Sequence, residues 1–574
     1  MATLTTNLFR GQGEASHRLE VVEGHWPDDV DGSVFIVGPD KRRPGGHWFG
    51  EPGLLARISM RPDPAGRVAV RHRLIDTPVA TLRRRLPFLF GRVAFMELSP
   101  FGVTNYANTN VDAIDGRLFV GYDAGRPVEV DPATMRHLTA VGGNDEWLQA
   151  VPGLLEPLCA VAAHPAVDVD AGCMYFLNYT QLAPPGVAAE AHLARWDLDG
   201  PVRRWRLTGM SPYDSIHDVK VSERHVVFAD LPFVVEPETF RGATRQRRNQ
   251  DHTTLWLVAK GDLQRTPAGG EVAVTEVRLP MPTGHLSVDV DEVDGLLRVV
   301  AQHMPLADLM ITATDESVVH GTGEPVHPDH QGLIALAVQP TVVAAYLIDP
   351  VDGRVVRSET IADETRVWGG VLATSDRHRV EARRHQRQLW FAGMGFDPEL
   401  VTEEWWRLYG DAEDGVVAPR SLPTHAMPGT LSRFDLESMK VAEVWEYPVG
   451  EFPSPPTFVP RVGSDEPDDG YVLVVVHRDG NKELQLFDAA HLDQGPVARA
   501  TTPGFSPALA LHSCWMPERG SRRQPDDRRA DDRRPVDRRP DYRVSLRRDV
   551  AGALRAVPGV LRSMVAVGRA MSDR

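Results

Sequence analysis

The stretch Asp115-Gly116-Arg117-Leu118-Phe119-Val120-Gly121-Tyr122 sets a tight-turn dipeptide directly before a short apolar run. Asp-Gly supplies the positive φ that two-residue hairpins need, and a run rich in Leu, Phe, Val and Tyr fits a pleated strand. The same signature recurs along the chain. Asp-Gly pairs stand at 31–32, 199–200, 294–295, 352–353, 414–415, 469–470 and 479–480, with strand-like runs such as 295–300 and 470–476 beside them. Long amphipathic helical periods are scarce before residue 545. Many short strands with regular turns predict an all-β sandwich, barrel or propeller. At 574 residues and 42% hydrophobic composition, a β-propeller uses the length best. No strict sequence repeat marks its blades.

The composition changes after Pro517. Residues 518–543 alternate Arg, Asp and Pro, which cannot bury a core and predict a disordered linker. Residues 544–574 have the pattern of a basic amphipathic helix. Leu546, Val550, Leu554 and Leu561 are apolar, while Arg547, Arg548, Arg555 and Arg562 are positive. Such a helix suits an anionic membrane surface, the propeller's own surface or another chain. The expected domains are therefore 1–517, 518–543 and 544–574.

No basic n-region with an apolar core opens the chain, and no apolar run is long enough to span a bilayer. The expectation is a cytoplasmic protein, touching a membrane at most peripherally. Leu82 to Arg92 mixes Arg83, Arg84 and Arg85 with Leu86, Phe88, Leu89 and Phe90. Exposed, that mixture inserts its apolar members beneath anionic headgroups; buried, it is a core-packing loop. A net charge of −16 argues against nucleic acid as a partner. Cys159, Cys173 and Cys514 are too few for a disulfide framework and form no CxxC pair.

Of 21 histidines, four stand in strand-like contexts: His164, His217, His285 and His512, separated by 53, 68 and 227 residues. These are not the spacings of a local metal motif. They suit a site at a propeller axis, with one ligand per blade, and they equally suit four separate core histidines. A second, local cluster of His320, His327 and His330 could bind zinc or be a surface insertion. HExxH, Walker A, GxSxG and Rossmann glycine patterns are missing.

The text around the four histidines resembles the carotenoid cleavage oxygenases over nearly the whole chain to Pro517. His47-Trp48-Phe49 and Gly53-Leu54-Leu55 are similar to that family's HWFDGDGML segment, with Gly50, Glu51 and Pro52 departing from it. Ala107-Asn108-Thr109-Asn110-Val111 matches its ANTNV. Ala163-His164-Pro165 and Ile216-His217-Asp218 resemble two ligand segments. Phe458-Val459-Pro460-Arg461 then leads toward His512 and Trp515. His285 lacks the usual following motif, having Val288-Asp289-Val290-Asp291 instead.

The resemblance implies a seven-bladed propeller with loops capping the active-site face. One Fe(2+) per chain would be held on the axis by His164, His217, His285 and His512. The partners would be an apolar polyene and O2, and the activity cleavage of a carotenoid or apocarotenoid double bond to carbonyl products. Family glutamates accept from three of the four ligand histidines. By register, Asp123 replaces the first, Val371 the second and Pro455 the third. Loss of such outer partners weakens a metal site. That leaves two alternatives open: an iron-dependent member with isomerase-like chemistry, and a non-catalytic propeller binding an apolar ligand. Stilbene-cleaving members carry a lysine just before the first acidic position. Tyr122 stands there, against a phenolate substrate. The oligomeric state is not legible.

Overall fold

The computed structural model describes residues 10–518, apart from 43–44, 94, 151, 181–188, 235, 237–243, 336–337, 376–384, 465, 467 and 481 and the side chains of Val93 and Val371, and beyond them Asp549. The expected linker after 518 and the expected helix over 544–574 thus lie outside the described residues, Asp549 excepted. Its carboxylate meets Arg126 at 3.0 Å and accepts the Asn144 N–H at 3.1 Å.

Most of the described strands form successive antiparallel sets of four, each an up-and-down meander, with a two-stranded and a three-stranded sheet apart from them. The second set runs Asn110–Ile114, Arg117–Gly121, Val128–Val130 and His137–Ala140. The third opens with an inner strand broken into Ala160–Val161 and Ala166–Asp168, then Cys173–Tyr179, Ala191–Trp196 and Arg203–Thr208. The fourth, fifth and sixth begin at Ile216–Val221, Thr283–Val288 and Gly370–Ser375. The seventh begins at Phe452–Pro453 and Thr457–Pro460. The first is completed from the far end of the chain. Its inner strand is His512–Met516, paired with Ser33–Pro39. Ala15–Gly24 pairs with both Val68–Leu74 and Pro496–Thr501, stitching the first set to the seventh.

Strands such as Ser33–Pro39, Cys173–Tyr179 and Gly470–His477 are buried at every position. Their near-continuous apolar runs follow from both faces being covered rather than one. The core is divided accordingly. Phe35, Val37 and Leu55 of the first set pack on Val111 and Leu118 of the second. Phe119 then meets Phe176 of the third, and Leu177 meets Phe228 of the fourth. The series continues through Leu257 with Leu286, Val343 with Phe391, and Trp390 with Val472. It closes where Leu473 and Leu486 pack with Ile36 and Ile58 of the first set. Each such side chain contributes roughly 1.5–3 kcal/mol by leaving water.

Not every Asp-Gly pair is a hairpin turn. Asp115 and Gly116 both have positive φ, at 52° and 68°, between paired strands, and Asp294 and Gly295 repeat this at 54° and 77°. Gly480 and Gly353 also take positive φ between paired strands. Asp469-Gly470 departs from the expectation: Gly470 is the first residue of a strand, with its α-carbon close against Phe458 and Val459. Asp414-Gly415 lies in the irregular segment after the helix Glu403–Tyr409.

Among the described residues helices are short, as expected before residue 545. Glu403–Tyr409 packs against the segment that follows Leu297–His303. Trp405 donates its indole N–H to the Leu306 carbonyl at 3.0 Å, and the Tyr409 hydroxyl reaches Asp308 at 2.6 Å. These bonds hold the segment 304–309, whose Met304 and Leu309 face the cavity described next.

Candidate metal centre

His217 is the second residue of its inner strand and His285 the third of the next. His512 opens the C-terminal strand, and His164 sits in the break between two short strands. Two of these strands are irregular at the histidine. The pairing register shifts between Ile216 and Asp218, so His217 is an extra, bulged residue, and it shifts again between Thr283 and His285. A bulge bends the strand and re-aims a side chain. His164 is fixed by backbone contacts to the neighbouring strand: its N–H donates to the His217 carbonyl at 3.0 Å, and its carbonyl accepts the Val219 N–H at 2.9 Å.

The four imidazoles converge, with one nitrogen from each lying within 4.8 Å of the others. The His164 ring centre is 4.2 Å from that of His512, 4.6 Å from His217 and 4.8 Å from His285. His164 Nε2 is buried without a hydrogen-bond partner. Such an orphaned atom is costly unless something else satisfies it. Among the described residues this is the one group of His, Cys, Asp and Glu drawn together tightly enough for an ion.

Burial, then the neighbouring imidazoles, holds His164 and His512 well below the ordinary histidine pKa. Burial lowers His285 too, against the pull of Asp218. At His217 burial opposes the charged form, but the Asp123 carboxylate outweighs it and raises the pKa. Neutral imidazoles with free lone pairs are the form that ligates metal. An all-imidazole set suits iron(II) and leaves positions of an octahedral ion open.

Asp123 occupies the predicted position beside the cluster. Its two oxygens face His217 Nδ1 at 2.9 and 3.0 Å, and Oδ1 also accepts the Ala163 N–H at 3.1 Å. Pro455 is buried between the two inner-strand segments of the seventh set and offers no side-chain acceptor. Val371 is the extra residue where the register shifts between Gly370 and Leu372, and its side chain is not described. Sequence reasoning missed Asp218. This buried carboxylate pairs with Lys220, accepts the Leu286 N–H at 3.0 Å and lies 3.7 Å from His285 Nδ1. Its place next to His217 in Ile216-His217-Asp218 was the available signal.

Three of the four histidines border a cavity of about 1260 Å³, counting its open mouth. His217, His285 and His512 line it with Phe49, Phe95, Leu158, Phe233, Leu309 and Leu372. Among the described residues, neither lysine nor arginine lines it. Tyr122 is, and its hydroxyl is buried without a partner. The N-terminal motifs meet here: the Asn108 side chain donates to the Phe49 and Glu51 carbonyls at 2.9 and 2.8 Å, placing Phe49 at the wall.

A match to the retinal pigment epithelial membrane protein family extends over residues 8–517. The chain belongs to that family, the carotenoid cleavage oxygenases. Relatives include carotenoid cleavage dioxygenase 8 homolog B, chloroplastic, of Oryza sativa subsp. japonica, 24% identical over 87% of this chain and 82% of its own length. Resveratrol cleavage oxygenase 1 of Aspergillus fumigatus is 24% identical over 83% of this chain and 88% of its own. The fold is similar to that of Pseudomonas brassicacearum lignostilbene dioxygenase, with a TM-score of 0.61 and 21% identity over 89% of this chain and 97% of that one. This carotenoid cleavage oxygenase homologue thus brings four histidines together, with the Asp123 carboxylate behind one of them.

The second histidine cluster does not assemble. His320 stacks on Trp406 with ring centres 3.9 Å apart and pairs with Glu403 at 3.0 Å, leaving only His327 and His330 together, with ring centres 5.6 Å apart. The predicted membrane segment is not a simple loop. Pro78–Arg85 is helical, Leu86, Leu89 and Phe90 are half-buried, and Phe88 alone of the four is widely exposed, at 78%. Arg83 and Arg84 are engaged by Glu97 and Asp76. Among the described residues no helix is long and apolar enough to cross a membrane.

Proposed function

We propose that the chain is a non-haem iron(II) dioxygenase on a seven-bladed β-propeller, cleaving a conjugated double bond of a carotenoid or apocarotenoid to two carbonyl products. The observation that carries this reading is the convergence of His164, His217, His285 and His512 from four separate sheets beside an apolar cavity. The propeller is supported by the cyclic packing of the four-stranded sets, the seventh returning onto the first. Iron, bound by the four imidazoles, would supply the activation of O2. Its immediate surround is the chain's own work: Asp123 fixes the tautomer and orientation of His217.

The cavity favours a neutral polyene. Aromatic and aliphatic walls desolvate a hydrocarbon, and among the described residues no lysine or arginine lines them to stabilise a phenolate. Burial pushes the Tyr122 phenol well above its ordinary pKa, so it stays protonated and able to donate. A polyene with one hydroxyl or carbonyl end, as in an apocarotenoid, would satisfy it. Phe88, with Arg85 beside it, provides a contact for a membrane that stores such a substrate.

The test is to incubate iron(II)-loaded protein with an apocarotenoid under 18O2. Loss of the polyene absorbance, with label in two carbonyl products, supports the reading. Tight binding of the polyene without turnover by metal-loaded protein would favour a ligand-binding propeller instead.

A further inference from the structure

We infer that Asp218 supplies the acidic partner of His285 that the register denies it at Val371. The inference rests on reading the four histidines as metal ligands. Asp218 is 3% exposed, and its two oxygens face different ways. Oδ1 takes the Lys220 ammonium. Oδ2 points across to the neighbouring inner strand, where it accepts the Leu286 N–H at 3.0 Å and lies 3.7 Å from His285 Nδ1. Among the described residues, no other carboxylate lies within 4.0 Å of a His285 nitrogen.

The bulge at His217 makes this arrangement available. Because His217 is the extra residue, Ile216 and Asp218 are consecutive in the ladder, facing Asp230 and Ala229. One strand then serves three of the four histidines. It carries His217, it pins His164 through two backbone hydrogen bonds, and it reaches His285 through Asp218. Lys220, two residues on, takes only Oδ1 and leaves Oδ2 facing His285. A ligand imidazole with a carboxylate behind it is oriented and made a better donor to the metal. Asp218 is accordingly a positioning residue, acting through His285.

The experiment is a titration of metal-free full-length protein with cobalt(II) alone, followed by visible absorption. It compares wild type, Asp218→Asn, Lys220→Met and the double variant. Asparagine keeps an oxygen for the Leu286 N–H, and thermal melting confirms that each variant is folded. Asp218→Asn is expected to weaken cobalt affinity about 10–100-fold and alter the spectrum. Lys220→Met is expected to bind like wild type, and the double variant to remain as weak as Asp218→Asn. If the double variant regains wild-type affinity, Asp218 merely neutralises Lys220 and the inference is overturned. Unchanged affinity in Asp218→Asn overturns it equally. A wild type that takes up no cobalt overturns something different, the four-histidine reading itself.

Discussion

The Asp123 carboxylate meets His217 Nδ1 with both oxygens, at 2.9 and 3.0 Å, and with one of them also holds the Ala163 N–H next to His164. This short side chain therefore ties His217 to the backbone that carries His164. Asp123→Ala should lower metal affinity or turnover by about 10–100-fold while leaving the fold intact. Metal analysis after dialysis against a weak chelator measures this; full retention of metal would contradict the role given to Asp123.

The pH dependence of stability should carry the mark of Glu156. Burial raises its carboxyl to about 7, against the N–H groups of Asn105 and Val79 that favour its charged form. The unfolded carboxyl ionises near 4.5. A raised folded pKa contributes stability that is full below the unfolded value and is lost as pH rises through the folded one. Urea midpoints should therefore fall between pH 5 and pH 8, and by less in Glu156→Gln. An equal fall in both proteins would assign the effect to other groups.

Tyr122 should discriminate among substrates. Removing its hydroxyl by Tyr122→Phe should raise KM about fivefold for a polyene with a polar end, the worth of one neutral hydrogen bond at ~1 kcal/mol. A plain hydrocarbon polyene should be unaffected. Steady-state kinetics on the two substrates decides it, and an equal change for both would remove Tyr122 from substrate recognition.

Phe88→Asp should reduce sedimentation with vesicles of anionic phospholipid without changing turnover of a detergent-dispersed substrate. The exposed ring is replaced by a charge that anionic headgroups repel. Unchanged sedimentation would assign membrane contact, if present, to another surface.

The all-β class was legible because Asp-Gly turns and short apolar runs act locally, as at Asp115-Gly116. The same dipeptide misled at Asp414 and Asp469, where neighbouring segments rather than the dipeptide decide the backbone. Ligand identity was legible only through resemblance, since four histidines far apart in sequence meet by the closing of the sheets. The bulges at His217 and near His285 left no trace in the sequence, because an extra residue in a ladder is defined by its partner strand. The place of Asp218 beside His217 signals a residue near the cluster, but not that its carboxylate faces His285 across the strands. Phe88 stands out only once Leu86, Leu89 and Phe90 are seen to be half-buried.

The most direct test of the four-histidine centre is the iron content of protein purified with iron(II) supplied, for wild type and for His512→Ala. Near one iron per wild-type chain, lost in the variant, is the predicted result. Little iron in wild type, with the variant no different, would contradict the account and leave a propeller that binds an apolar ligand without metal chemistry.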